Sequence, residues 1–238
     1  MVSLFLVGLA RPIGAWSAER SAEGLVVLYD FRLAKGSIVR DRSGAGQPLD
    51  LKIENPKNVR RSEGALEVRG KTLIHSDKSA TKIFNAVRRS GEITIEVWVR
   101  PANPKQDGPA RMVTLSGGSS QRNFTLGQEG DKVDVRMRTT QTSGNGIPSL
   151  KSPSRSLASR LTHIVYTRNR GGLARLFLNG KQQAEKRVAG MTANWNARYQ
   201  LALANELSSD RPWLGTFHLV AVYSRDLSAG EVTQHFKA

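Results

Sequence analysis

The residues of this chain best suited to bond-breaking chemistry are the carboxylates of Glu129-Gly130-Asp131-Lys132-Val133-Asp134. Two carboxylates flanking a glycosidic bond can hydrolyse it, with a separation of about 5 Å giving retention. Here the Gly-Asp pair falls where a hairpin turn is expected, so Glu129 and Asp134 would not project together from the middle of a strand. The chain has no cysteine, which excludes disulfides, thiolate zinc sites and cysteine nucleophiles. Its four histidines, His75, His163, His218 and His235, are scattered. Neither a Gly-x-Ser-x-Gly elbow nor a His-Glu-x-x-His helix is present. No catalytic residue is assigned, and the chain reads as a non-enzyme.

Binding chemistry is better represented. In Ile93 to Arg100 the residues alternate strictly, so Ile93, Ile95, Val97 and Val99 share one face of a strand. Glu96 and Trp98 share the other, where a sugar could stack on the indole and hydrogen-bond to the carboxylate. Arg136 and Arg138 share a face of a second strand, and Trp195 lies in a loop. These five are the candidate ligand-binding residues. The competing reading of Trp98 is burial, because tryptophan is highly buried on average.

Charge points the same way. The formal net charge is +16. Between Val135 and Ala184 there are nine Lys or Arg and no Asp or Glu, so more than half of the excess lies there. An anionic partner would explain it, and so would a solvated basic surface. Nucleic acid is not expected. The aromatics available for base stacking from Arg136 to Lys181 are only Tyr166 and Phe177, both in strand-like contexts, and no nucleic-acid-binding motif occurs.

The elements that must carry these residues are short and extended. Strands are predicted at Leu25–Phe31, Leu49–Ile53, Ala65–Val68, Thr72–Ile74, Ile93–Arg100, Arg111–Ser116, Asn123–Gln128, Lys132–Arg138, Thr162–Arg168, Leu173–Leu178 and Tyr199–Ala204. The run Trp213 to Tyr223 predicts a closing strand buried on both faces. Asn179-Gly180 is a hairpin signal. Ser37–Pro48 and Asn55–Ser62 read as loops. Thr139–Arg160 reads as a long loop, and loops of that length in a compact domain are often functional. Ser79–Arg88 predicts one or two helical turns. Ser228 followed by Glu231 has the spacing of a capping box, and Val232 and Phe236 share a face of the short helix it would start. Apolar residues make up 39% of the 238, enough for a sizeable core. About a dozen strands with almost no helix predict one all-β domain.

Five stretches, in this order, resemble the laminin G-like jelly roll of the concanavalin A-like lectin/glucanase superfamily. They are Leu28-Tyr29-Asp30-Phe31, Val39-Arg40-Asp41-Arg42-Ser43-Gly44, Ile93 to Pro101, Leu176-Phe177-Leu178-Asn179-Gly180 and Tyr223 to Ser228. The resemblance implies an all-β, two-sheet antiparallel jelly-roll sandwich with one short C-terminal helix. It also implies a secreted or surface module that binds glycans or proteins, often through Ca²⁺. Oxygen donors suited to Ca²⁺ are Asp30, Asp41, Asn205 and Glu206, since the fold brings the early and late parts of the chain together. They are equally the residues that build turns. His218 and Leu219 stand where many relatives carry an Asp-Glu pair, so a role resting on those carboxylates does not transfer.

Val2 to Ala10 is an apolar run of signal-peptide length, and no other segment reads as a membrane span. Residues 1–22 are expected to be a leader of an exported protein and residues 23–238 the domain. The expected function is a non-catalytic module recognising carbohydrate, an anionic polysaccharide in particular, or an extracellular protein. The alternatives are a glucanase-like enzyme working through Glu129 and Asp134, or a purely structural domain.

Overall fold

The computed structural model describes residues 20–238, so most of the expected leader lies outside the described residues. The strands in chain order are β1 Leu25–Tyr29, β2 Ile38–Val39, β3 Leu51–Ile53, β4 Val59–Ser62, β5 Ala65–Val68, β6 Ile74–Ser76, β7 Ile93–Pro101 and β8 Ala110–Gly118. They continue as β9 Gln121–Glu129, β10 Lys132–Met137, β11 Leu150–Lys151, β12 Thr162–Arg168, β13 Leu173–Leu178, β14 Lys181–Arg187, β15 Gln200–Leu203 and β16 Gly215–Tyr223. Helix α1 spans Thr81–Ser90 and α2 spans Ala229–Lys237.

Two antiparallel eight-stranded sheets face each other. One runs β14-β13-β12-β7-β16-β5-β4, with β1 also paired to β16, and the other runs β11-β10-β9-β8-β15-β6-β3-β2. The alternation in β7 decides its orientation: Ile93, Ile95, Val97 and Val99 join the main core between the sheets. Residues of opposite parity face outward, where a second apolar cluster forms around Trp98, Val165, Phe177, Leu219 and Tyr223. Helix α2 covers that cluster with Val232. The two-sheet jelly roll with a short C-terminal helix is thus the observed architecture.

Most predicted elements are in place. Trp213 lies just before the closing strand instead of in it, fully buried, its indole N–H donating to Gln128 Oε1 at 2.9 Å. Three stretches expected as loops contain strands, the third being β11 within Thr139–Arg160. Ile38–Val39 pairs with β3, and Val59–Ser62 pairs with β5. Both are short edge strands, and β4 carries alternate exposed arginine and serine side chains that read as a polar connection. The long Thr139–Arg160 segment is pinned, not open. Lys151 and Leu150 pair with Asp134 and Val135, and Leu150 and Leu157 are buried.

Arg20 to Ala22, expected to belong to the leader, pack on the domain. The Arg20 guanidinium pairs with Glu96, and the Ser21 amide donates to His235 at 3.2 Å. No helix among the described residues is long and apolar enough to cross a membrane.

The capping box forms as its spacing predicts. Ser228 Oγ accepts the Glu231 amide and the Glu231 carboxylate accepts the Ser228 amide at 2.9 Å. Ser228→Ala is expected to destabilise the domain by about 1 kcal/mol, read from the urea midpoint at constant slope. An unchanged midpoint would mean that α2 is held by packing alone.

Candidate functional site

The Glu96-Trp98 face of β7 is closed. Trp98 is 7% exposed, stacked on the His163 ring at 4.7 Å and on Phe236 at 5.7 Å with 9° between the planes. A sugar cannot stack on Trp98 while α2 is docked, so neither Trp98 nor Glu96 presents a binding surface. Sequence alternation shows that the pair faces away from the core, not what covers it.

Glu96 has no exposed surface and is met on every side by donors. His163 Nε2 lies 2.8 Å from Oε1, His235 Nδ1 lies 3.1 Å from Oε2, and Arg20 pairs with Oε1. Because His235 Nε2 accepts the Ser21 amide, its proton is assigned to Nδ1, facing Glu96. Burial alone raises the Glu96 pKa. The hydrogen bonds from His163 and His235 and the Arg20 charge outweigh burial and hold it well below the usual carboxylate range. Burial also lowers the His163 pKa, against the pull of Glu96. The arrangement is a sealed counter-ion network. With both oxygens committed and no access for a substrate, it is not an acid–base site.

The other expected residues lie elsewhere. Arg136 and Arg138 project from the outer face of the second sheet, across the sandwich from Trp98. Arg136 is paired with buried Asp134 at 3.1 Å. Beside them Arg111 is paired with Glu206 at 2.9 Å, both buried. Arg122 donates to Thr125 Oγ1 at 3.0 Å and to the Ser119 carbonyl. Burial and the neighbouring Arg111 push the Arg122 pKa down to about 10. Trp195 is 5% exposed in the main core, its N–H donating to the Arg138 carbonyl at 2.7 Å. It buttresses the end of β10 and is closed to a ligand.

The four proposed Ca²⁺ donors do not converge. Asp41 accepts the amides of Leu28, Ser43 and Leu49 and pairs with Lys82 at 2.7 Å, while Asp30 pairs with Arg32 and Arg42. Glu206 is committed to Arg111, and Asn205 Oδ1 accepts the Glu206 and Arg211 amides. These residues knit turns, and no group of three His, Asp or Glu among the described residues is disposed to hold a metal. The carboxylates of the enzyme alternative are also separated in role. Glu129 sits half exposed at the hairpin, paired with Lys151, and Asp134 is fully buried.

One of the open pockets gathers residues that no sequence signal brought together. It lies between the segment 153–160, the β13–β14 turn and the last turn of α2, with a volume of about 460 Å³. Its floor is Phe236, 36% exposed. That ring follows Val232 by one turn and rests on Trp98. Gly180, in the left-handed region at φ +76°, makes room for it: a Cβ there would stand 3.1 Å from Phe236 Cδ1. The pocket walls carry Arg155, Arg160 and Lys181, with the amides of Asn179 and Gln183. All three cations are exposed, and none pairs with a carboxylate among the described residues. Arg155 adopts φ +62°, an unfavourable backbone for a non-glycine residue and a recurrent mark of ligand-binding positions. The length of the Thr139–Arg160 segment was the one sequence signal for this site.

Two antiparallel sheets around one core define a sandwich of the lectin and glucanase type. The chain belongs to the concanavalin A-like lectin/glucanase superfamily, whose family model matches residues 76–233. No curated protein matches the chain in sequence. Among solved structures it is similar to the receptor-binding domain of botulinum neurotoxin C/D mosaic serotype, with a TM-score of 0.69 at 11% identity over 91% of this chain and 52% of that one. It is also similar to a Trypanosoma rangeli sialidase, with a TM-score of 0.64 at 16% identity over 90% of this chain and 33% of that one. The chain spans about half of the toxin domain and a third of the sialidase. The likeness is one of fold.

The Glu96 network makes two measurable demands. Arg20→Gln leaves a buried carboxylate without its permanent counter-charge and is expected to destabilise by about 3 kcal/mol at pH 7.5. Arg32→Gln, which removes an exposed pair, is expected to change stability by less than about 1 kcal/mol. Equal effects would refute the central role given to Glu96. The pH dependence has a definite sign. The depressed Glu96 pKa stabilises fully above its unfolded value and is lost as pH falls. The depressed His163 pKa means the unfolded chain binds protons first below about pH 6.5. Stability should therefore fall between pH 7.5 and 5.5; a rise would show His163 charged against Glu96.

Proposed function

We propose that the chain is a non-catalytic recognition module for an anionic polysaccharide, bound in the pocket floored by Phe236. One observation carries the reading: an exposed aromatic ring lies beside Arg155, Arg160 and Lys181, with no carboxylate lining the pocket. The aromatic suits the apolar face of a sugar ring. Arginine's planar fork suits a carboxylate or sulfate, and the amides of Asn179 and Gln183 suit hydroxyls. The net charge of +16 would raise the local concentration of such a polymer before contact.

The structural relatives favour the same ligand class. One is a botulinum neurotoxin type C whose cell entry depends on interaction with two ganglioside molecules, and another is a sialidase with sialic acid bound. The apolar run at the start of the sequence supports export, which would bring the module to extracellular or surface glycans.

The test is calorimetric titration with heparin and with polygalacturonate across a salt series. Binding should be tightest at low salt and weaken as salt rises, because exposed charges are screened. Phe236→Ala and the triple variant Arg155→Ala/Arg160→Ala/Lys181→Ala should each weaken binding by about tenfold or more. Wild-type affinity in the triple variant, or no binding at low salt, would remove the proposal.

A further inference from the structure

A second cationic pocket lies at the opposite end of β14. Its volume is about 240 Å³, and it is lined by Arg88, Arg89, Arg168, Arg170 and Met191. Arg168 forms its floor and is 1% exposed. The guanidinium is held by carbonyls alone: Nε donates to Val188 at 2.9 Å, Nη1 to Gly91 at 3.2 Å and Asn169 at 3.4 Å, and Nη2 to Gly190 at 2.5 Å. Arg88 donates to the Ala193 carbonyl at 2.7 Å and lies over the Phe84 ring. Arg170 is laid across Gly91, where a Cβ would stand 3.1 Å from its Cγ. None of the four arginines forms an ion pair with a carboxylate among the described residues.

Helix electrostatics explain only half of this. Arg88 and Arg89 occupy the last turn of α1, where cations complement the carbonyl end of the helix. Arg168 and Arg170 come from the β12–β13 hairpin and owe nothing to that dipole. The four arginines share one small pocket with no ion pair among them, the nearby Glu92 carboxylate accepting from them only the Arg170 backbone amide at 3.4 Å, and an anion would relieve their mutual repulsion.

The two pockets are joined by one edge strand. Lys181 and Gln183, at the start of β14, line the first. The chain runs on to Arg187 and reaches the second at Gly190 to Ala193. Six residue steps of a strand span about 20 Å. Along the strand Lys181, Gln182, Gln183, Glu185 and Arg187 are exposed. The one acid of the strand, Glu185, is tied to Arg175 at 3.1 Å.

We propose that recognition is bipartite: a linear polysaccharide lies along β14 and places sulfate or carboxylate groups in both pockets, roughly 20 Å apart. This rests on the reading of the Phe236 pocket as the first site. Two linked contacts gain from effective concentration once the ligand is long enough to span both, so affinity should depend on length as a step.

The experiment is calorimetry with size-fractionated heparin oligosaccharides at fixed salt, on wild type, on Arg89→Ala/Arg170→Ala and on the Phe236-pocket triple variant. In the wild type, fragments too short to span 20 Å should bind weakly, with a gain of about tenfold or more beyond that length. Either variant should abolish the step while short fragments still bind at the intact pocket. A smooth length dependence that Arg89→Ala/Arg170→Ala leaves unchanged would overturn the bipartite arrangement but keep the first pocket. If that first reading fails instead, the triple variant will be silent, and loss of fragment binding will follow Arg89→Ala/Arg170→Ala alone. Single-stranded DNA giving the same step at equal affinity would overturn the polysaccharide assignment.

Discussion

A carboxylate with no access to water stands in the middle of β7, on the side of the sheet away from the core. Moving a charge out of water is expensive unless it is paired and hydrogen-bonded. Glu96 is compensated from three directions: Arg20 from the segment before β1, His163 from β12, and His235 from α2. Each contact fixes a separate part of the chain. The helix cannot slide without losing His235 or leave without opening the apolar cluster around Trp98. Phe236 is the next residue after His235, so the floor of the basic pocket is set by the same constraint.

The opposite sheet shows the same logic in arginine. Arg111 with Glu206 and Arg136 with Asp134 are paired on its outer face, and Arg122 is held by Thr125 and Ser119. Both broad faces of the sandwich therefore satisfy much of their own charge. Seven cations without an ion pair among the described residues line the two pockets joined by β14. For a protein with 36 basic and 20 acidic residues, the location of the unpaired ones says more than the total.

The fold was legible because its signals are local and mutually consistent. The alternation in β7 identified the core face, the Ser228-Glu231 spacing identified the start of α2, and the ordered stretches from Leu28 to Ser228 carried the family resemblance. The site was not legible, for a physical reason. Its residues come from three segments spread over some 80 positions, from Arg155 to Phe236, and only the fold brings them together. Trp98 misled because an outward-facing residue reads the same whether solvent or a helix lies above it. Asp30, Asp41, Asn205 and Glu206 read two ways in the sequence, because the oxygen that would bind Ca²⁺ is also the oxygen that accepts backbone amides in turns. The strands β2 and β4 were missed because Ile38–Val39 is too short a run to mark a strand and Val59–Ser62 carries a single apolar residue.

The central claim is that the anionic ligand lies along the β14 edge and not on either broad face. Mapping backbone and arginine side-chain NMR signals during titration with a heparin oligosaccharide tests it most directly. The largest changes should cluster at Arg155, Arg160, Lys181 and Phe236 and extend to Arg89 and Arg170. Changes centred instead on Arg122, Thr125 and Arg136, with the β14 edge silent, would contradict it.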